Sequence, residues 1–424
     1  MADSTLLSPL SRATRTLFTA AMVIFLYTVV IGILNGMDLW EPEHDVLMSH
    51  VHSGTLGWIT LGVAGVAMLV CSLDREVSAD ERRSADTLAW AMIAGVVLYV
   101  VAFAVGDSIF DDRIQRPVFG TLLFLPVVWF LVWLVGAYRA YGRSSAARLG
   151  LLLAWISLLI GAVFGVILGL YTSNGEVPGL GDDVAARIAD AHPPAMVIGY
   201  LLVAGFSIVE WLLHDQDTGR GGFVQVWLLF VAGLIINLAF VTGTDEQLAG
   251  PANLLMIAAG VMMLWRSRRL LTPDSFRRAE AGLFPRFALF FLVVYLVLLT
   301  VLVSWIVRDV IDFEALTESQ EGLLLAFDHT MFIGVMTNVV FGVLALLVTT
   351  PRTRLANRVL WWGVNIGIVG FALGLLTTTA LLKQIFAPIM GISLLIGLAI
   401  YLLALNTTEG TDSVRSQPDP AHAG

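Results

Sequence analysis

The chain holds one cysteine, Cys71, and one lysine, Lys383, in 424 residues. A lone cysteine excludes an internal disulfide, a cysteine-held iron–sulfur cluster and a CxxCH haem attachment. Charge is scarce as well, at 13% of residues with a net −9, so there is no basic footprint for nucleic acid. Long polar stretches are also missing, and the short connections between apolar runs leave no room for a soluble domain. What is abundant is hydrocarbon. Hydrophobic residues make up 58% of the chain and the mean hydropathy is +0.84, values that exclude a soluble globule.

A membrane-spanning helix needs about 20 apolar residues at ~1.5 Å rise each. Twelve runs qualify: 14–36, 49–72, 86–107, 117–140, 147–172, 190–213, 221–243, 248–266, 284–307, 322–349, 357–380 and 383–406. The pattern predicts an all-α polytopic membrane protein, a single twelve-helix transmembrane domain over 1–406. The polar tail 407–424 is expected to be disordered. The first run is too long for a secretory signal and lacks a convincing cleavage site, so it counts as a span. Of the 24 Lys and Arg residues, 19 fall on the side of the N-terminus and 5 on the other. That asymmetry predicts cytoplasmic N- and C-termini, in an integral protein of a prokaryotic plasma membrane.

Seven histidines are present, and an ionisable group inside a span usually marks function. His50 and His52 open the second run ("MSHVHSGTLGW"), His192 the sixth ("DAHPPAMVIGY") and His329 the tenth ("FDHTMFIG"). With the predicted topology all lie toward the outer ends of spans four helices apart. His52, His192 and His329 are spaced by 140 and 137 residues, and a glycine follows each by thirteen: Gly65, Gly205 and Gly342. Gly57 and Gly334 also match at the fifth position. At about 100° per residue these glycines fall on the back of the helix from the histidine, where they let neighbours approach. The simplest reading is a quasi-threefold array of four-helix units, roughly 14–140, 147–266 and 284–406. His50 and His52 stand about 200° apart on a helix and face different ways. The glycine offsets count from His52, which is the inward member, and His50 is read as an interfacial residue. His44 reads as a solvated loop residue, His214 as a boundary residue beside Asp215, and His422 as part of the tail. Glu210 lies near the inner boundary.

Twelve spans with histidines at the outer ends of the second, sixth and tenth resemble subunit I of the haem–copper oxidase superfamily, cytochrome c oxidase subunit I included. The resemblance covers nearly the whole chain in topology and three segments in residues. It implies that His52 in "HVHSGTLGW" and His329 in "FDHTMF" are axial ligands of one low-spin, bis-histidine haem b. It implies too that His192 in "AHPP" sits where a copper ligand would be, a tentative second metal site. Lys383 stands where the family commonly places an arginine pair for the haem propionates, and Trp58, Met331 and Phe332 are candidates to line a porphyrin slot. The departures are as clear. Phe327 replaces the high-spin haem ligand, and residues 221–250, with Gln225, Asn237 and Thr242, contain no histidine. A copper ion left with one imidazole has too few ligands, so copper is not expected.

The resemblance therefore implies a haem-binding membrane protein working in electron transfer or in binding or sensing oxygen or nitric oxide. Respiratory-complex subunits or an electron donor would be its partners. If it is an enzyme, it is an oxidoreductase of the cytochrome oxidase or nitric oxide reductase type. Two other readings stand beside it: a cofactor-free twelve-helix secondary transporter, and a structural subunit of a respiratory complex. Transporters show inverted repeats and broken helices, whereas the repeat here runs in one sense.

Overall fold

The computed structural model describes residues 9–73, 75–106, 112–141, 145–214, 219–273, 282–311 and 315–415. His422 and Asp215 lie outside them. Among the described residues all regular structure is helical, with twelve helices long and apolar enough to cross a membrane. They are α1 (Ser11–Gly36), α2 (His44–Val70), α3 (Ala79–Ala104), α4 (Gln115–Ala140), α5 (Ala146–Asn174), α6 (Asp182–His214), α7 (Arg220–Thr242), α8 (Asp245–Ser267), α9 (Leu283–Val307), α10 (Glu318–Leu347), α11 (Pro351–Leu376) and α12 (Ala380–Thr407). The protein is thus an all-α, twelve-helix polytopic membrane protein. Helix continues from α12 to Arg415.

Local chemistry sets many of the boundaries. Ser78 and Ser145 accept hydrogen bonds from the first-turn amides of Glu81 and Arg148, three residues on, capping α3 and α5. Thr317 and Gln320 form a reciprocal capping box at the start of α10. Gly175 and Gly243, at φ +73° and +66°, end α5 and α7 in the left-handed conformation that glycine adopts without strain.

Burial divides the helices into two groups. In the most apolar stretch of α2, α6 and α10, 89, 83 and 78% of residues are buried, against 33–56% in the other nine. These three form the centre, and the outer helices run round them, with α12 packed against α1. Exposed Trp90, Leu125, Val132, Leu254, Trp265 and Leu403 on outer helices mark the lipid-facing surface.

The three central helices share a distortion. Each passes from α- to π-helical hydrogen bonding just below its histidine, at Ser53–Thr60 in α2, Ala195–Leu201 in α6 and Thr330–Thr337 in α10. A shorter π segment, Leu360–Val364, interrupts α11. Such insertions recur at functional sites. The eighth residue after each histidine is polar: Thr60, Tyr200 and Thr337. These side chains tie the centre together, Tyr200 donating to Thr60 at 3.3 Å and the Trp58 indole to Thr337 at 3.0 Å. Thr60 and Thr337 each also donate at 2.9 Å to a carbonyl five residues back, of Thr55 and Phe332.

The glycines singled out in the sequence are all places of close approach. A Cβ on Gly65 would meet the Phe18 ring of α1 at 3.2 Å, one on Gly205 would meet Val335 of α10 at 3.0 Å, and one on Gly334 would meet Phe291 of α9 at 2.6 Å. Gly57 is closed off by Ile24, and Gly342 by Leu212 and Phe284.

Candidate functional site: four imidazoles on three central helices

Counting down each helix at ~1.5 Å per residue, His52, His192 and His329 lie about 12–17 Å below the starts of α2, α6 and α10. Their rings share one hydrogen-bonding arrangement. Nδ1 of His52 bonds the Met48 carbonyl at 2.7 Å, that of His192 the Gly161 carbonyl of α5 at 2.8 Å, and that of His329 the Leu325 carbonyl at 2.8 Å. A carbonyl accepts, so Nδ1 carries the proton in all three and Nε2 keeps its lone pair. Among the described residues no hydrogen bond reaches any of the three Nε2 atoms. This is the tautomer that metal-binding histidines adopt when a backbone carbonyl orients them.

Aromatic rings fix the imidazole planes. His52 stacks on Phe103 at 4.4 Å and meets the edge of Tyr99 at 5.2 Å, both from α3. His329 tilts against Phe371 of α11 at 5.2 Å. Gly165 of α5 makes room for His192, since a Cβ there would sit 2.8 Å from Cε1. All four histidines are half-buried.

The two histidines of α2 have different neighbours. His50 lies within electrostatic reach of His329, and His52 within reach of His192. The resemblance pairs His52 with His329. The two α2 rings point about 200° apart, one on each side of the helix, so they do not share a neighbour. Nor is His50 an ordinary interfacial residue. Its Nδ1 is buried without a hydrogen bond, and its ring sits over Gly32 of α1, whose Cβ would be 3.3 Å away.

The remaining candidates divide plainly. His44 is exposed at the start of α2, and His214 Nε2 lies 2.9 Å from the Ser267 hydroxyl at the inner end of α6. Lys383 sits in the first turn of α12 with its chain against Gly374, and its ammonium makes no hydrogen bond or ion pair within the described residues. Trp58 and Met331 are fully buried in helix packing, with Trp58 stacked on Phe25 at 4.6 Å; Phe332 is half-buried. Phe327 stacks on Tyr295 at 4.4 Å. Asn237 of α7 is buried beside Gly199 in the α6 π segment, with neither amide atom hydrogen-bonded. Glu210 is held at both carboxylate oxygens by Arg266, at 2.6 and 2.7 Å. Among the described residues no three or more His, Cys, Asp or Glu side chains converge on a common point.

Sequence reading passed over four polar residues near the imidazoles. Arg116 of α4 pairs with Asp45 at 2.5 Å and lies 5.1 Å over the Phe103 ring that stacks on His52. Asp328 adjoins His329 in the chain, has no ion pair within the described residues, and lies within electrostatic reach of Tyr295, whose buried hydroxyl has no hydrogen bond. The available signal was an acid inside an apolar span, in "AFDHTMF".

No protein-family model matches the chain, and no curated protein is significantly similar to it. Fold and site therefore rest on the chain's own residues.

Proposed function

We propose that this twelve-helix membrane protein holds a haem b between α2 and α10, with His329 and His50 as axial imidazoles. The supporting observation is the shared tautomer: His329, like His52 and His192, offers an unbonded Nε2 while a carbonyl fixes its Nδ1. His50 lies within electrostatic reach of His329, on the side of α2 away from His52. Apolar walls and two imidazoles fit a b-type haem. Such a haem would supply a one-electron couple or an iron that takes a gas ligand. The protein's own part is to fix the imidazole planes against Phe371 and Gly32 and to exclude water. Lys383, in the first turn of α12, is the candidate cation for a propionate at the outer end. The common depth of the histidines and the three matching π segments support the quasi-threefold arrangement of four-helix units; the 19 to 5 division of Lys and Arg supports cytoplasmic termini.

A second reading, a cofactor-free secondary transporter or a structural subunit of a respiratory complex, asks less of the protein. The lack of any family match weighs on its side, since the haem–copper relationship gains no support there. So do the π segments with their buried Thr60, Tyr200 and Thr337, and with Asn338 and Asn365 buried just beyond two of them, because distorted polar helices at the centre of a bundle also build transport sites.

A visible spectrum of protein purified from haem-supplied cells separates the readings. The haem reading expects a low-spin reduced α-band that His329→Ala and His50→Ala abolish, and that His44→Ala and His214→Ala leave intact. Absence of a Soret band overturns it and leaves the transporter or structural subunit.

A further inference from the structure

Far from the imidazoles, the lipid-facing side of α7 and α8 is hollowed at its inner end. Along α7, Val224, Trp227, Val231, Leu234 and Leu238 are exposed at intervals of three and four residues, and Leu254, Val261 and Trp265 are exposed on α8. Such spacing keeps each set on one stripe of its helix, turned to the bilayer. A groove of about 480 Å³ lies on this face, walled by Phe223, Trp227 and Val231 of α7 and by Leu255 of α8. Arg220 stands at its inner end and is the only charged residue of the lining. Arg220 and Val231 are eleven residues apart, about 16 Å along the helix, and half of a hydrocarbon core ~30 Å thick is about 15 Å. The groove is one leaflet deep.

The rim at that end is cationic. Arg220 is exposed and makes no hydrogen bond or ion pair within the described residues. Arg268 lies 4.2 Å over the exposed Trp265 ring and donates to the Trp265 carbonyl at 2.6 Å, with Arg269 exposed beside it. A Cβ on Gly221 would sit 3.3 Å from Arg266 Cδ, so the start of α7 and the end of α8 share one corner. The connections on this side, 215–220 and 266–282, hold six arginines against four acids. A snorkelling arginine needs only a polar boundary, and a hollow of leaflet depth beneath it adds a slot for an acyl chain. We propose that the α7–α8 groove binds one anionic glycerophospholipid from the leaflet on the arginine-rich side, an acyl chain lying along Phe223, Trp227 and Val231 and the phosphate on Arg220. A guanidinium grips phosphate in bidentate fashion, and basic pockets between spanning helices on the cytoplasmic side take such headgroups. A zwitterionic headgroup would bring its own ammonium to the Arg268 and Arg269 rim and lose the attraction that an anionic one gains. The site is independent of the haem reading.

Native mass spectrometry of the full-length protein tests this, with phosphatidylglycerol and phosphatidylcholine of the same acyl chains offered in equal amounts in detergent. Wild type is expected to keep one phosphatidylglycerol per chain in preference to phosphatidylcholine. Arg220→Gln should weaken that preference about fivefold, the worth of one arginine at a membrane surface, and Arg220→Lys should keep most of it. Val231→Trp should fill the groove and release the lipid while leaving the rim untouched. Both positions are exposed, so neither change disturbs the core. Equal retention of the two lipids, a preference unchanged in Arg220→Gln, or a lipid that stays bound in Val231→Trp overturns the proposal. So does a lipid-free dimer that Val231→Trp dissociates, which would give the groove to a second copy of the chain.

Discussion

Removing the Arg266 guanidinium is expected to destabilise the protein by about 3–5 kcal/mol, the usual cost of breaking a buried ion pair from one side. The Glu210 side chain is 2% exposed and that of Arg266 14%, so solvent screens the pair little. Both carboxylate oxygens bond to Arg266 alone, and the same Nη1 reaches Gln225 Oε1 at 3.4 Å. Gly222 presses on the pair, since a Cβ there would lie 2.8 Å from Glu210 Oε1, leaving no room for several waters to replace the guanidinium. Arg266→Ala thus leaves a carboxylate in an apolar setting with no donor. Replacing both partners by Met removes the charge with its partner and should recover most of the loss, because two apolar side chains of similar volume leave nothing unsatisfied. The assay is SDS-induced unfolding in mixed micelles, followed by tryptophan fluorescence, for both singles and the double. A loss of 3 kcal/mol is roughly a hundredfold in the equilibrium constant. An Arg266→Ala protein within about 1 kcal/mol of wild type, or a double variant as unstable as the single, would refute the reasoning.

Two further expectations concern the chain outside the histidines. Cys71 is fully buried, and burial pushes its thiol up to about 12. Below that pH it stays protonated and a poor nucleophile, so maleimide at pH 8 should label the folded protein negligibly and the SDS-unfolded protein completely; rapid labelling of the native state would contradict the burial. Reporter fusions in the 273–283 connection and after residue 410 should read cytoplasmic and one within 176–186 external, and an external reading for the arginine-rich connection would reverse the orientation.

Hydropathy located all twelve helices, because each needs a long apolar run and the gaps between runs are short. It failed at the ends. The run read as 190–213 belongs to a helix that begins at Asp182, and the one read as 357–380 to a helix that begins at Pro351. The extra stretches, "DDVAARIA" and "PRTRLA", carry charges that end the apolar run, so only capping could reveal them, and at α11 it does, through Thr350 ahead of Pro351. The histidines stood out because imidazoles are rare in apolar spans. Their pairing did not, since it depends on how α2 is rotated within the bundle, which a period along one helix does not contain. Likewise nothing local links Glu210 to Arg266, 56 residues apart, and no residue pattern in "SGTLGWIT" marks a π segment.

The π segments make the outer and inner halves of the central helices separable in angle. In a regular α-helix every residue is locked in phase with those above and below, at about 100° per step. Widened turns between His52 and Thr60 break that lock. The imidazole above can therefore be aimed independently of the Trp58, Thr60 and Gly65 contacts that seat the helix below. One residue deleted within 53–60 would swing His52 by about 100° while leaving the lower packing in register, and an insertion would swing it the other way. The same holds below His192 and His329. Evolution on this scaffold can thus retarget three imidazoles by single-codon insertions and deletions without rebuilding the core that carries them.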